Sequence, residues 1–255
     1  MLEQKVEDHT HATARVELAV GDEPHLHRDG RHRREHALHE RLCVPHLLLV
    51  QKPRWLDHEL AAAIPFGGNS ALAFVRDVGR VRPGQRVLVI GASGGVGVWA
   101  TQLARHFGAD VTGVCSAANV ELVRSLGAHH VIDYTSERLV ERAGTYDLVL
   151  DTVRATTFTD CRRILSDRGT YLPIDAGLGD LVQAAFTSLR SGQRVRFAVS
   201  RNTRESLEAL LELTEAGAVK PVIDSVYAMN EIVAAHQRVE GRHKRGSVVI
   251  TMAPG

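Results

Sequence analysis

The chain has 255 residues, enough for one large hydrophobic core or two modest ones. Hydrophobic residues make up 44% and charged residues 24%, and the formal net charge is only +1, a balance that excludes bulk attraction to nucleic acid or to a membrane surface. Three widely spaced cysteines (Cys43, Cys115, Cys161) form no C-x-x-C pair, no run is apolar enough to span a bilayer, and the start lacks a signal-peptide core, so the expectation is a cytoplasmic protein with reduced thiols.

Residues 1–46 stand apart. His25, His27, His32, His36, His39 and His46 are interleaved with Arg28, Arg31, Arg33, Arg34 and Arg41, and apolar periodicity is weak. The expectation is an atypical, poorly ordered N-terminal segment. His32 and His36 have the i, i+4 spacing that suits Zn²⁺ or Ni²⁺, but no carboxylate or cysteine pattern frames them and the arginines repel a cation. A solvated segment is the expected reading.

Regular patterning begins at Leu47. Leu47–Val50 reads as a short strand, Glu59–Ile64 as a helix behind Asp57, and Ser70–Val78 as a helix capped by Asn69 and closed by Gly79. Pro83-Gly84 is a turn. Strands are then predicted at Arg86–Ile90, Asp110–Cys115, His130–Asp133, Tyr146–Asp151, Thr170–Ile174 and Arg194–Ser200. Helices fall between and after them at Val96–Phe107, Val120–Leu126, Ser136–Arg142, Thr157–Leu165, Asp180–Leu189 and Arg204–Ala216. Six strands alternating with helices mean right-handed crossovers and an α/β, doubly wound parallel sheet of Rossmann type over residues 47–220. Residues 221–255 read strand, helix, strand (Pro221–Ile223, Asn230–Glu240, Ser247–Met252) and are expected to pack outside that sheet.

The junction of the first predicted strand and its helix carries the chemistry. Gly91, Ala92, Ser93, Gly94, Gly95, Val96 and Gly97 contain the spacing G-x-x-G-x-x-G, in which backbone N–H groups and the positive end of a helix dipole face a pyrophosphate. The same letters allow two other readings. Gly91-Ala-Ser93-Gly-Gly95 matches the G-x-S-x-G nucleophile elbow of a serine hydrolase, for which Asp151 and His236 are the nominal partners. An elbow, however, needs no further glycine, and Gly97 stands where helix and strand must approach closely. Gly91, Gly95 and Gly97 also fit the turn of short-chain dehydrogenases, which requires a Tyr-x-x-x-Lys pair. Tyr134, Tyr146, Tyr171 and Tyr227 are followed four places on by Arg138, Leu150, Ile174 and Glu231, so no such pair exists.

An acid at the tip of the second strand would hold the adenosine ribose and repel a 2′-phosphate. Here the strand runs out in Ser116-Ala-Ala-Asn119, with Arg124 one turn on. That favours NADP(H) over NAD(H).

Five ordered segments, Ala62–Leu72, Gly108–Ser116, Ser125–Tyr134, Tyr146–Val153 and His243–Thr251, resemble the medium-chain dehydrogenase/reductase superfamily, and most of all its zinc-independent quinone oxidoreductase-like branch. The resemblance implies that Gly91–Gly97 hold the pyrophosphate, that Ser116 and Tyr134 sit by the 2′-phosphate, and that Ser70 reaches the nicotinamide end. It also implies that Val153 lines the nicotinamide ribose and that Arg242 approaches the cofactor from the returning segment. Of the family's GroES-like catalytic β domain, only a remnant is recognisable at Val20–Glu23 and Cys43–Pro45, an expected truncation. Neither the Gly-His-Glu zinc motif nor a cysteine tetrad is present, so no zinc is expected. The resemblance implies homodimers, for which Arg194–Ser200 is the candidate edge strand. The function expected is an NADPH-dependent oxidoreductase passing hydride to a small-molecule quinone or α,β-unsaturated carbonyl. The alternatives are an inactive NADP(H)-binding protein and the serine hydrolase.

Overall fold

Short runs, the central ones rich in valine, leucine and isoleucine, build the centre of the molecule. In the computed structural model, which describes residues 49–136, 145–175, 177–188, 192–197 and 203–252, these runs are β1 (Arg86–Ile90), β2 (Asp110–Cys115), β3 (His130–Asp133), β4 (Tyr146–Asp151), β5 (Leu165–Pro173) and β6 (Arg194–Val195). They form one six-stranded sheet in the order β3-β2-β1-β4-β5-β6, with every pairing parallel. This is the doubly wound Rossmann order, in which the chain reverses its direction of growth between β1 and β4 and leaves a crevice at the strands' carboxyl ends.

The helices are α1 (His58–Ala62), α2 (Pro65–Leu72), α3 (Gly97–His106), α4 (Val120–Ser125), α5 (Phe158–Cys161), α6 (Leu178–Ser188), α7 (Arg204–Glu215) and α8 (Ile232–Glu240). They explain why the central strands are apolar without alternation. Val87 and Val89 join a core with Trp99, Leu103, Phe74 and Leu210 on one face, and Leu88 and Val149 join Tyr171, Cys161 and Ile164 on the other. A strand covered on both sides has no face to leave polar. Outside this sheet, β7 (Ile223–Ala228) and β8 (Ser247–Thr251) pair in parallel across α8. Among the described residues, no helix is long and apolar enough to cross a membrane.

Several expected elements are corrected. Residues 49 and 50 are not in a strand. Asn69 does not cap a helix. The helix starts at Pro65, whose missing N–H costs nothing at a first turn, and Asn69 lies buried inside it. From Ala73 to Val78 the chain widens into a π turn, and the Gly79 amide reaches back five residues to the Phe74 carbonyl at 2.8 Å. The helix expected over Thr157–Leu165 is the single turn α5, with Thr157 as its cap rather than its first residue. Leu165 already pairs with Tyr146, and the extra residues before Thr170 are absorbed in a bulge. β6 ends at Val195, and residues 198–200 of the expected edge strand lie outside the described residues. So do residues 1–46, the GroES-like remnant and nearly all of the predicted Ser136–Arg142 helix.

Candidate functional site

β1 delivers the chain into the crevice at Gly91, whose φ of +78° lies in the left-handed region that glycine adopts freely. The amides of Gly91 and Ala92 are tied to the Val114 carbonyl of β2 at 3.1 and 3.0 Å, and the Gly94 amide to the Gly91 carbonyl at 2.9 Å. The amides of Ser93, Gly95 and Val96 have no acceptor among the described residues. They precede α3, so three open donors gather at the positive end of its dipole. A Cβ on Gly97 would run into the Gly91 carbonyl oxygen and lie 2.8 Å from Ala92 Cα, so this helix begins so close to the strand only because residue 97 is glycine. A Cβ on Gly94 would press on one atom alone, the Gly91 oxygen at 3.3 Å, a tight but much milder contact than that at Gly97. Donors, dipole and room fit the pyrophosphate of a dinucleotide.

The walls come from the neighbouring strand ends. Val153, half exposed just past β4, overhangs the turn: a Cβ on Gly91 would sit 2.6 Å from its Cγ1. On the other side, Asn119 donates through Nδ2 to Ser93 Oγ at 3.1 Å and to Ser116 Oγ at 3.2 Å. The Tyr134 amide is tied to the Cys115 carbonyl at 3.1 Å, and its side chain is exposed beside the β2 tip. From above, α2 packs Gly67 against the Gly95 carbonyl, and Ser70 shares that helix face one turn on. Ser70, Gly91–Gly97, Ser116, Asn119, Tyr134 and Val153 are thus brought to one edge of the sheet.

Among the described residues, no contact brings Arg242 there. It closes the turn after α8, exposed, with a φ of +55° and its amide on the Val239 carbonyl. The returning chain meets the glycine turn a few residues later, where the Gly246 amide donates to the Ser93 carbonyl at 2.9 Å. Two residues that sequence reasoning missed lie at this junction. Lys244 Nζ donates to the Gly246 carbonyl at 2.6 Å and would be 2.9 Å from a Cβ on Gly95. Arg245 donates from Nε to Asn119 Oδ1 at 2.7 Å and from Nη2 to the Ala118 carbonyl at 2.9 Å. The available signal was the basic triplet His243-Lys244-Arg245 directly before Gly246. Burial pushes the Lys244 amine below its usual range.

Asp224 aims this segment. Its carboxylate takes Arg238 Nε at 2.7 Å, Arg238 Nη2 at 2.6 Å and the Arg245 amide at 2.7 Å. Burial alone would raise the Asp224 pKa, but the bonds from Arg238, Arg245 and Ser225 and the Arg238 charge outweigh it and hold it at about 2.

No activated nucleophile accompanies the cradle among the described residues. Ser93 Oγ has Asn119, not a histidine, as its partner, and His236 is exposed on α8. The Asp151 carboxylate is enclosed by donors from its own loop. Burial pushes both Cys115 and Cys161 up to about 11, which keeps the thiols neutral. Among the described residues, no three His, Cys, Asp or Glu side chains gather as metal ligands, and the His25–His46 run lies outside them.

A family model described as zinc-binding dehydrogenase matches residues 126–250. The mitochondrial NAD(P)H oxidoreductase RTN4IP1 of Bos taurus is 34% identical over 227 residues, covering 79% of this chain and 57% of that protein. The chain belongs to the medium-chain dehydrogenase/reductase superfamily. Other members similar to it include the chloroplastic NADPH-dependent alkenal/one oxidoreductase of Arabidopsis thaliana, 32% identical over 86% of this chain and 53% of that protein. Among solved structures, the quinone oxidoreductase of Coxiella burnetii superposes with a TM-score of 0.72 at 28% identity, covering 79% of this chain and 63% of that one. The chain therefore spans little more than half the length of these curated members of the superfamily. The names of both place them in organelles, so the superfamily comparison does not support the cytoplasmic expectation.

Proposed function

We propose that this chain is the nucleotide-binding part of an NADP(H)-dependent oxidoreductase that passes hydride to a quinone or an α,β-unsaturated carbonyl compound. The observation that carries the reading is the set of three acceptor-free amides at Ser93, Gly95 and Val96, at the point where the parallel sheet reverses between β1 and β4. In this reading residues 47–220 form the nucleotide-binding unit, and 221–255 return a strand, a helix and a strand to the remnant catalytic domain. The non-acidic β2 tip supports NADP(H). The names of the quinone and alkenal/one oxidoreductases support the acceptor class.

A bound nicotinamide nucleotide supplies the hydride. The chain's own residues position it. Gly91–Gly97 hold the pyrophosphate, Ser116 and Tyr134 flank the adenosine, and Val153 and Ser70 fix the nicotinamide end against water. A conjugated acceptor needs only a hydride at one carbon and a proton at another atom, so no metal is assigned to the step. The same reading includes a homodimer through the β6 edge, where Phe186 and Phe197 lie exposed. A single monomeric species in sedimentation velocity removes that element.

Titrating the protein into NADPH is expected to enhance nucleotide fluorescence. NADPH oxidation is expected to depend on the acceptor across a small panel of quinones and enones. Binding without oxidation on any acceptor would reduce the reading to a nucleotide-binding protein without turnover, and absence of binding would end it.

A further inference from the structure

The β2 tip presents a deficit. Ser116-Ala117-Ala118-Asn119 offers hydroxyl and amide groups but no cation, and Arg124 on the following helix is paired with Glu121 at 2.8 Å. A 2′-phosphate is a doubly charged group, and neutral donors alone hold it weakly. The fold supplies a cation from the far end of the chain. Arg245 lies 126 positions beyond Asn119, and its guanidinium is fastened to the tip by the bonds to Asn119 Oδ1 and the Ala118 carbonyl.

Two features make this more than a surface arginine resting on a loop. Asn119 is 8% exposed, and its amide nitrogen is engaged by Ser93 and Ser116, so the carbonyl oxygen that receives Arg245 cannot turn away. The Arg245 backbone is fixed independently by Asp224, itself paired with Arg238. A guanidinium has five N–H donors, and the protein takes two of them. The other three have no acceptor among the described residues. The adjacent acid, Asp133, is occupied by the Thr135 amide at 2.9 Å, the Thr135 hydroxyl at 2.7 Å and Ser136 Oγ at 3.2 Å.

We propose that Arg245 is the residue through which this chain recognises the 2′-phosphate of NADP(H), held in register by Asn119 and the Ala118 carbonyl. The proposal rests on the nucleotide reading above and names the side chain that makes the choice of cofactor. Ser116 Oγ completes the site from the strand tip. Arg242, placed near the cofactor by the family resemblance, has no such fixed position.

The test compares dissociation constants for NADPH, NADH, adenosine 2′,5′-bisphosphate and 5′-AMP, by fluorescence and calorimetry, in the wild-type chain and in Arg245→Met and Arg245→Lys. Loss of a charge-assisted contact predicts that Arg245→Met weakens NADPH and the bisphosphate by about 10- to 100-fold. NADH and 5′-AMP are expected to shift by less than about threefold, and Arg245→Lys to recover part of the loss because it keeps the charge without the fork. If all four ligands weaken together in Arg245→Met, the residue is a strut for the returning segment and the proposal fails. It fails equally if NADPH affinity is unchanged. If the wild-type chain binds NADH as tightly as NADPH, the cofactor preference itself is wrong. If the wild type prefers NADPH and Arg245→Met retains that preference, only the assignment of Arg245 is overturned.

Discussion

Gly94→Asp is expected to abolish nucleotide binding while leaving the protein folded. Gly94 is not in the left-handed backbone region, and an added Cβ meets only the Gly91 oxygen at 3.3 Å. The fold therefore admits a side chain there only as the Gly91 carbonyl gives by a few tenths of an ångström, in contrast to Gly97, where backbone atoms block one outright. The new carboxylate would stand beside the open amides of Ser93, Gly95 and Val96. An acid at a helix N-terminus stabilises the free protein by about 0.3–1 kcal/mol, so the unfolding temperature should stay level or rise slightly. The same carboxylate occupies the anion cradle and repels the pyrophosphate, and the dissociation constant for NADPH should rise by at least about 100-fold. Gly94→Ala, which adds bulk without charge, should cost less. Fluorescence titration beside thermal unfolding separates the effects. A Gly94→Asp protein that binds NADPH within threefold of wild type would show that the cradle lies elsewhere.

How much of this was legible in the sequence follows from the range of the contacts involved. β1, β2, β3 and β4 agree with expectation end to end, because each is a short run centred on valine, leucine or isoleucine, and the central strands β1 and β4 are covered on both faces. The role of Gly97 was readable for the same reason: the collision it avoids is with Gly91, six residues away. Elements shaped by distant packing were less legible. The start of α2 at Pro65, the π turn after Leu72 and the bulge in β5 each depend on what the segment lies against. The cations of the site are the clearest case. The family resemblance pointed to Arg242, whereas the fold engages the Asn119 amide with Ser93 and Ser116 and delivers Arg245 to its oxygen. Nothing within a helical turn of Asn119 announces a partner 126 positions later.

Asp151→Ala is expected to destabilise the protein by about 3 kcal/mol, since it removes a fully buried carboxylate and leaves the four part-buried donors it holds without their common partner. Asp151 ends β4 between Ile90 of β1 and Pro173 of β5 and is fully buried. Its carboxylate accepts from the amides of Val153 at 3.1 Å, Ala155 at 3.2 Å and Thr156 at 2.8 Å and from the Thr156 hydroxyl at 2.8 Å, while the Tyr171 hydroxyl, 3.3 Å away, donates its proton to the Thr156 carbonyl at 2.7 Å. It therefore does for the chain leaving the sheet what a capping residue does for a helix. Burial raises the Tyr171 phenol above its ordinary range, so the hydroxyl beside the carboxylate stays neutral and keeps its bond to the same loop. For a domain of this size the loss corresponds to a fall in unfolding temperature of roughly 10 °C. Asp151→Asn should fall by less, because one acceptor oxygen survives, but its amide turns two donors toward donors. The cofactor site is affected through Val153, whose amide hangs on this carboxylate while its side chain leans over Gly91. NADPH affinity should therefore drop in Asp151→Asn even at temperatures where that variant is folded. A variant that unfolds early yet binds NADPH normally would confine Asp151 to stability. One that keeps its unfolding temperature and affinity but loses turnover would make the carboxylate a proton-transfer group and remove its assignment as the cap of β4.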